Sequence, residues 1–244
     1  MSIWGKIIGG TAGFALGGPI GAIIGIMIGG SFDRKSVFIK SKRINSQQKQ
    51  NIFALSIIIL SAKIAKADGK VTKDEIYAFK EKFKIPENEM EQVGKIFNEA
   101  KKTKYGYEQI ATQVGELFSD NKLLLEELLN NLFYIAESDG ETSVSEIEIL
   151  KSISKLFGLS EEDFQRIFHS RLNSKDSDPY KILGVDRNDN DSIIRKKWIK
   201  LNKEHHPDNL IAKGMPQEFI NQSNKELASI NLAYDKIKKQ RESH

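Results

Sequence analysis

Residues 178–185 read DPYKILGV, and residues 206–208 read HPD. The first stretch carries the signals of a short helix. Asp178 is a favourable N-cap, Pro179 fits the first turn, and Gly184 is the residue type that ends a helix. The pattern therefore predicts that a C-terminal helical domain begins here and includes the HPD tripeptide.

Two longer helices are predicted on either side of the tripeptide. Asn190 is a suitable N-cap for the first of them, and Ile194, Trp198 and Leu201 recur at the spacing that places them on one face. The second helix, at the C-terminus, has a predicted packing side made of Phe219, Leu227, Ile230, Tyr234 and Ile237. Together they predict an antiparallel hairpin whose connecting loop holds the tripeptide.

The tripeptide is predicted to form a rigid corner. Pro207 cannot continue a helix and favours an extended backbone at His206, so His206 and Asp208 project from a fixed position. The outward side of the preceding helix is basic, and it consists of Arg195, Lys196, Lys200 and Lys203. A cationic strip of this kind suits an acidic protein surface.

The chain from Asp178 to about Arg241 resembles a J-domain, the module by which J-proteins activate an Hsp70 partner. His206, Pro207 and Asp208 match the motif of that module residue for residue. The resemblance implies that the tripeptide and the basic strip bind Hsp70 (DnaK) and signal it to hydrolyse ATP. The ATPase chemistry would then belong to the partner, and no enzyme activity or cofactor is expected in this chain.

A helical bundle is predicted between residues 50 and 172, where apolar residues recur at helical spacing. Two segments of it repeat one another: residues 64–69 and 135–140 both end in Asp-Gly. Each is followed by a Thr or Ser that can cap the next helix and by an acid, Glu75 or Glu146, at its third position. This duplicated pattern resembles the TerB family, named for tellurite-resistance proteins.

The acids of the repeat allow two interpretations. Ile64 and Lys66 stand where an EF-hand loop needs its first carboxylates, so an ordinary calcium loop is excluded. A different metal site remains open, with these candidate ligands: Asp68, Asp74, Glu75, Asp139 and Glu146. Helix capping is the favoured interpretation, and no metal is predicted.

The N-terminal segment is predicted to cross a membrane. Residues 7–30 contain no charged side chain. As a helix this stretch is about 36 Å long, whereas a bilayer core is about 30 Å thick. Glycine recurs every four residues, at Gly9, Gly13, Gly17, Gly21, Gly25 and Gly29. Glycines at this spacing form a groove along one side of the helix, which predicts a homodimer through close helix packing. A glycine-rich anchor without a partner is the alternative, and a cleavable signal peptide is disfavoured because the apolar run is too long.

The charges after the apolar segment predict its orientation. Arg34, Lys35, Lys40, Lys42 and Arg43 follow it directly. Positive charge favours the cytoplasmic side, so the short N-terminus is expected outside and the remaining domains inside, at a cell inner membrane. The same basic residues can also contact anionic membrane lipid.

The expected chain is therefore all-α. It has an anchor at 1–32, a basic linker at 33–49, a TerB-like bundle at 50–172, a polar linker at 173–177 and a J-domain at 178–244. This order, together with the loop at 209–218, further resembles the DjlA type of J-protein. The sequence contains no cysteine, which excludes disulfides, thiol catalysis and cysteine-ligated zinc.

The leading hypothesis for function is a membrane-anchored co-chaperone that recruits a cytoplasmic Hsp70. The alternative is an envelope-stress or metal-responsive sensor that acts mainly through the TerB-like bundle. An enzyme is disfavoured because no nucleophile or phosphate-binding loop accompanies His205, His206 and Asp208. The net charge is only +4, so no nucleic-acid partner is expected.

Overall fold

The computed structural model describes residues 3–10, 20–21, 23, 46–67, 80, 83–102, 106–137, 142–172 and 177–242. Within these ranges the secondary structure is helical, without strands, which confirms the predicted all-α class. The helices are α1 (Ile3–Gly10), α2 (Ser46–Ala67), α3 (Glu87–Lys102), α4 (Tyr107–Leu117), α5 (Lys122–Ala136), α6 (Val144–Leu156), α7 (Glu161–Arg171), α8 (Pro179–Leu183), α9 (Asp191–Glu204), α10 (Pro207–Ala212) and α11 (Ile220–Glu242), with a 3₁₀ turn at Gln217–Phe219.

The bundle is built around α2, which is buried on every side between Asn51 and Ile64. It packs against α1, α3, α4 and α5. A helix that is apolar all round needs neighbours all round, and these helices provide them. The hydroxyl of Ser56, inside this core, donates to the carbonyl of Ile52 one turn earlier at 2.7 Å. A polar group is thereby accommodated without a partner outside the helix.

The second predicted capping box is present at the start of α6. Ser143 Oγ accepts from the Glu146 N–H at 3.2 Å, and Glu146 Oε2 accepts from the Ser143 N–H at 2.9 Å. The capping interpretation of Glu146 is confirmed. Thr72 and Glu75, the first copy of the pattern, lie outside the described residues.

The C-terminal hairpin begins and ends its helices where the sequence predicts. Asp178 accepts from the Tyr180 N–H at 3.0 Å, and Gly184 ends α8 with a left-handed φ of 61°. Asn190 accepts from the Ile193 N–H at 3.0 Å and begins α9. In the hairpin core, Trp198 and Tyr234 stack at a centroid distance of 4.4 Å.

The predicted position of Phe219 is wrong, because this residue does not pack inside the hairpin. Its ring lies 5.2 Å from Phe53 and 4.9 Å from Phe83, in the core of the bundle. The same core includes Leu210 and Met215. The connection is more than a loop, because Pro207 begins α10 and this short helix turns its apolar side towards the bundle. The bundle and the J-domain therefore share buried surface.

The N-terminal helix also contributes to this core. Trp4 is buried with its ring 5.6 Å from Phe219, and the Ile3 N–H donates to Glu218 Oε1 at 2.7 Å. Over the described part of the chain, no helix combines the length and apolarity needed to cross a membrane. Most of the predicted membrane segment, residues 7–30, lies outside that part.

Two helical glycines give a direct test of the packing of α4 on α6. A methyl group added at Gly115 in α4 would lie 2.5 Å from the carbonyl oxygen of Leu156, whereas one at Gly94 in α3 would meet nothing within 4 Å. We expect Gly115→Ala to cost about 1–3 kcal/mol of unfolding free energy through overpacking. Gly94→Ala should stabilise by up to about 1 kcal/mol through helix propensity. Denaturant unfolding of both variants measures this, and equal shifts would contradict the packing of α4 on α6.

Candidate functional site

The tripeptide forms a sharp corner between α9 and α10. His205 ends α9, and His206 is extended with φ −65° and ψ 135°. This is the backbone that a following proline favours, and Pro207 then supplies the first residue of α10. The Asp208 N–H faces His206 Nδ1 at 3.3 Å. The corner is therefore fixed by its backbone and by the contact of His206 Nδ1 with the Asp208 N–H.

The side chains of His206 and Asp208, at the corner, both face solvent. The side chain of His206 is 56% exposed and that of Asp208 is 89% exposed. His206 Nδ1 lies 3.8 Å from Asp208 Oδ2, which leaves both groups available to a partner. An imidazole and a carboxylate that project together can donate and accept hydrogen bonds on another protein surface.

The predicted basic strip is exposed along α9. Arg195, Lys196, Lys200 and Lys203 all lie at the surface. Lys200 makes a loose pair with Glu204 at 3.8 Å. Because such exposed pairs are weak, the strip keeps its positive charge for a partner.

A buried polar cluster lies beneath the corner, where α5, α7, α9 and α11 meet. We call it the junction cluster, and its members are Glu126, Glu127, Asn130, Arg166, His205, Ser223 and Glu226. It joins the bundle to the J-domain. Charged groups so deeply buried require close partners, since an unpaired buried charge is strongly destabilising.

His205 is the member of the cluster closest to the tripeptide in sequence. Its side chain is fully buried, and its Nδ1 lies 3.0 Å from Glu127 Oε1. With Nδ1 as the donor and the carboxylate oxygen of Glu127 as the acceptor, this contact is a hydrogen bond. The Ser223 hydroxyl donates to the other oxygen of Glu127 at 2.8 Å. Glu127 thus holds α9 and α11 together from the bundle side.

Arg166 connects the other two carboxylates. Its guanidinium donates to Glu126 and to Glu226 from opposite nitrogens. Asn130 donates to the second oxygen of Glu226 at 2.8 Å. Since Arg166 lies on α7 and Glu226 on α11, this network links the last helix of the bundle to the last helix of the J-domain.

The protonation of the cluster follows from its charges. Burial by itself lowers the pKa of His205, but the carboxylates of Glu226 and Glu127 outweigh burial, and the net pKa is raised. Burial tends to raise the pKa of Glu226, whereas His205 and Arg166 outweigh it and lower the pKa. Burial raises the pKa of Glu126, in spite of Arg166. The arrangement therefore favours a charged His205 beside an ionised Glu226.

Glu127, His205 and Glu226 also come close enough to share a cation within the described residues. Most of their ligand atoms, however, already have protein partners, and of these atoms Nε2 of His205 alone makes no hydrogen bond within the described residues. Nδ1 of His205 contacts Glu127, and Glu226 accepts from Arg166 and Asn130. A guanidinium and an imidazolium supply the positive charge that a metal would bring, so the geometry fits an ion-pair network.

The remaining predicted site residues are only partly described. Asp68, Asp74, Glu75 and Asp139 lie outside the described residues. Of the glycine groove, Gly9 lies in α1 and Gly21 is helical and buried, whereas Gly13, Gly17, Gly25 and Gly29 lie outside those ranges. A dimer through the groove stays a prediction, and a metal site in the repeat stays the open alternative to helix capping.

The sequence of α5 contains a signal for the junction cluster. Residues 122–136 read KLLLEELLNNLFYIA, an apolar stretch that polar pairs interrupt in the middle. Glu127 and Asn130 are completely buried there. Because carboxylates are almost never fully buried without partners, such an interruption indicates a polar contact with another element.

Family comparisons match nearly the whole chain. Residues 54–169 match the tellurite resistance protein TerB family, residues 1–50 match the co-chaperone DjlA transmembrane domain, and residues 178–242 match the DnaJ domain. The transmembrane match covers the segment whose apolar length predicts a membrane span. No solved structure matches the chain significantly.

Several relatives are similar over their full length. A co-chaperone protein DjlA of Photobacterium profundum is 27% identical over 98% of this chain and 99% of its own. The corresponding protein of Coxiella burnetii is 28% identical over 99% of both chains. That of Legionella pneumophila is 27% identical over 96% of this chain and 94% of its own.

A helical hairpin that presents His206, Pro207 and Asp208 at an exposed corner, and that matches the DnaJ domain, defines a J-protein. The preceding transmembrane and TerB domains specify the type. The chain belongs to the DjlA type of J-proteins, and its class of function is that of a co-chaperone.

The ion-pair network makes a prediction for stability. Arg166→Met leaves Glu126 and Glu226 buried without their guanidinium, so it should cost about 3–5 kcal/mol of unfolding free energy. Lys151→Met is the matched control, because Lys151 pairs with Glu161 at 2.7 Å on the surface. That change should cost at most about 1 kcal/mol. Denaturant unfolding compares the two, and a similar small cost for both would show that the network does not hold the junction.

Proposed function

We propose that the chain is a membrane-anchored co-chaperone that recruits a cytoplasmic Hsp70 (DnaK) and stimulates its ATPase through His206, Pro207 and Asp208. The observation that carries this proposal is the exposure of His206 and Asp208 on a corner whose neighbour, His205, is fully buried. Catalysis of ATP hydrolysis remains with the partner, and the chain supplies a recognition surface.

The rigidity of the corner supports this role. Docking costs less free energy when the groups that dock are already held in place. Asn209 Nδ2 donates to the carbonyl of Glu204 at 2.7 Å, and the Leu210 N–H donates to that of His206 at 3.1 Å. These bonds tie both sides of the corner together, so Asp208 and His206 lose little freedom on binding.

The basic strip supports the choice of an acidic partner surface. Lys196, Lys200 and Lys203 recur at a spacing that places them along one side of α9, next to the corner. Positive charge along a helix increases the rate of association with a negative surface and fixes its orientation. We assign binding to the strip and signalling to the tripeptide.

The anchor is proposed to lie in the cell inner membrane with the N-terminus outside and the bundle and J-domain in the cytoplasm. In that arrangement α1 leaves the core in which Trp4 packs against Phe219. The match of residues 1–50 to a transmembrane domain and the positive charge at residues 34–43 support this orientation. The glycine repeat supports a homodimer in which two anchors pack closely.

A single introduced cysteine can test orientation and pairing together, because the chain has no cysteine of its own. In intact cells whose outer membrane is permeabilised, Ser2→Cys should react with a thiol reagent that cannot cross the inner membrane. It should also form a disulfide-linked dimer under oxidation, and Gly13→Leu with Gly17→Leu should reduce that dimer about tenfold. Labelling only after lysis would reverse the orientation, and unchanged crosslinking would exclude the glycine groove.

The proposed activity is tested by single-turnover ATP hydrolysis of the cell's own Hsp70 with the full chain in lipid nanodiscs. Wild type should stimulate turnover. His206→Gln and Asp208→Asn should reduce the stimulation at least about a hundredfold, while their melting temperatures stay at the wild-type value because both side chains are exposed.

Asp235→Asn is the matched control for charge, since Asp235 is an exposed acid on α11, away from the corner. It should stimulate like wild type. Stimulation by His206→Gln equal to that of wild type would refute the role of the tripeptide. A basal rate with wild type would refute the co-chaperone proposal itself.

A further inference from the structure

The tripeptide corner is mounted on the bundle as well as on the J-domain hairpin. Leu210, in the helix that the corner begins, is fully buried in the bundle core. Met215 and Phe219, which follow it, belong to the same core. The hairpin has a separate core that contains Ile194 and Ile230. The segment from the corner to the start of α11 therefore packs in the core of the bundle. The helices on either side of it, α9 and α11, contribute to the core of the hairpin.

Helix α5 of the bundle holds this segment at both ends. On one side, Glu127 accepts from His205, the residue immediately before the tripeptide, at 3.0 Å. On the other side, Asn121, the N-cap of α5, donates to the carbonyl of Lys213 at 2.9 Å, just after α10. Between these two contacts lies the exposed corner.

The contact between His205 and Glu127 constrains the orientation of the corner more tightly than the apolar contacts do. Apolar contacts such as those of Leu210 are non-directional and tolerate small shifts. A buried hydrogen bond requires one distance and one direction, and breaking it leaves a buried polar group without a partner. The bond between His205 and Glu127 therefore selects a single placement of the residue next to His206.

We propose that His205 and Glu127 are positioning residues, through which α5 of the TerB bundle sets the orientation of the tripeptide and so determines how strongly a docked Hsp70 is stimulated. This inference rests on the proposed function. The bundle then has a direct part in the activity of the J-domain, in addition to any choice of clients.

The docked arrangement is the active one in this proposal, because it leaves the surface for Hsp70 open. His206, Asp208 and the basic strip on α9 are all exposed while the junction cluster is closed. Loss of the contact between His205 and Glu127 would let the corner move, whereas the strip on α9 would still bind. Loss of this contact should therefore lower the stimulation of Hsp70 without weakening its binding.

The test compares variants that remove the hydrogen bond with variants that keep it. Glu127→Ala removes the acceptor, and Glu127→Gln retains an amide oxygen for His205 and an amide that can donate to Ser223. In the same way, His205→Leu removes the donor, whereas His205→Asn retains an N–H near the position of Nδ1. Lys151→Gln, a charge change on the surface of the bundle, is the control.

Each full-length variant is titrated against the cell's own Hsp70 in nanodiscs, and maximal stimulation is measured separately from the concentration that gives half of it. We expect Glu127→Ala and His205→Leu to lower the maximum at least about tenfold with the half-maximal concentration unchanged within about twofold. Glu127→Gln and His205→Asn should restore most of the maximum. A merely structural loss would reduce the folded fraction, raising the half-maximal concentration and leaving the maximum intact.

A wild-type maximum in both Glu127→Ala and His205→Leu overturns the proposal, as does an equal loss in Glu127→Gln and Glu127→Ala. Should wild type itself fail to stimulate, the proposed function is lost, and hydrogen exchange still decides the positioning claim. The amides of Leu210 and Lys213 should then exchange at least about tenfold faster in Glu127→Ala than in Glu127→Gln. Equal exchange in the two variants would overturn the claim.

Discussion

The hydrogen bond between His205 Nδ1 and Glu127 joins the bundle to the J-domain at a point from which solvent is excluded. Its strength depends on the surrounding charges, because three carboxylates share one guanidinium and one imidazole in the junction cluster. Removing any partner leaves a charge in a medium that solvates it poorly. The exposed corner at His206 and the buried core at Leu210 both depend on where this bond fixes the chain.

Local signals in the sequence predicted the hairpin well. The N-caps at Asp178 and Asn190 and the helix stop at Gly184 act through neighbouring backbone groups, so their effect can be read from a few residues. The same holds for the capping box of Ser143 and Glu146. The exposure of Asp208 could also be anticipated, because a proline corner projects the residues on either side of it.

The junction could not be predicted in this way, since its contacts connect residues far apart in the chain. His205 and Glu127 are separated by 78 positions, and Asn130 and Glu226 by 96. Helical periodicity assigns a residue to a face but does not identify the helix that covers it. Phe219 shows the consequence: its apolar character predicts that it is buried, but it does not predict that the residue enters the core of the bundle.

A J-domain fixed to a TerB bundle has one orientation relative to that bundle, and an anchor at the N-terminus would place both beside a membrane. The central claim is that the bond between His205 and Glu127 fixes that orientation. A double-mutant cycle with His205→Ala and Glu127→Ala, measured by unfolding of the full chain in detergent micelles, tests it most directly. We predict a coupling free energy above about 1 kcal/mol, and additivity within about 0.5 kcal/mol would contradict the account.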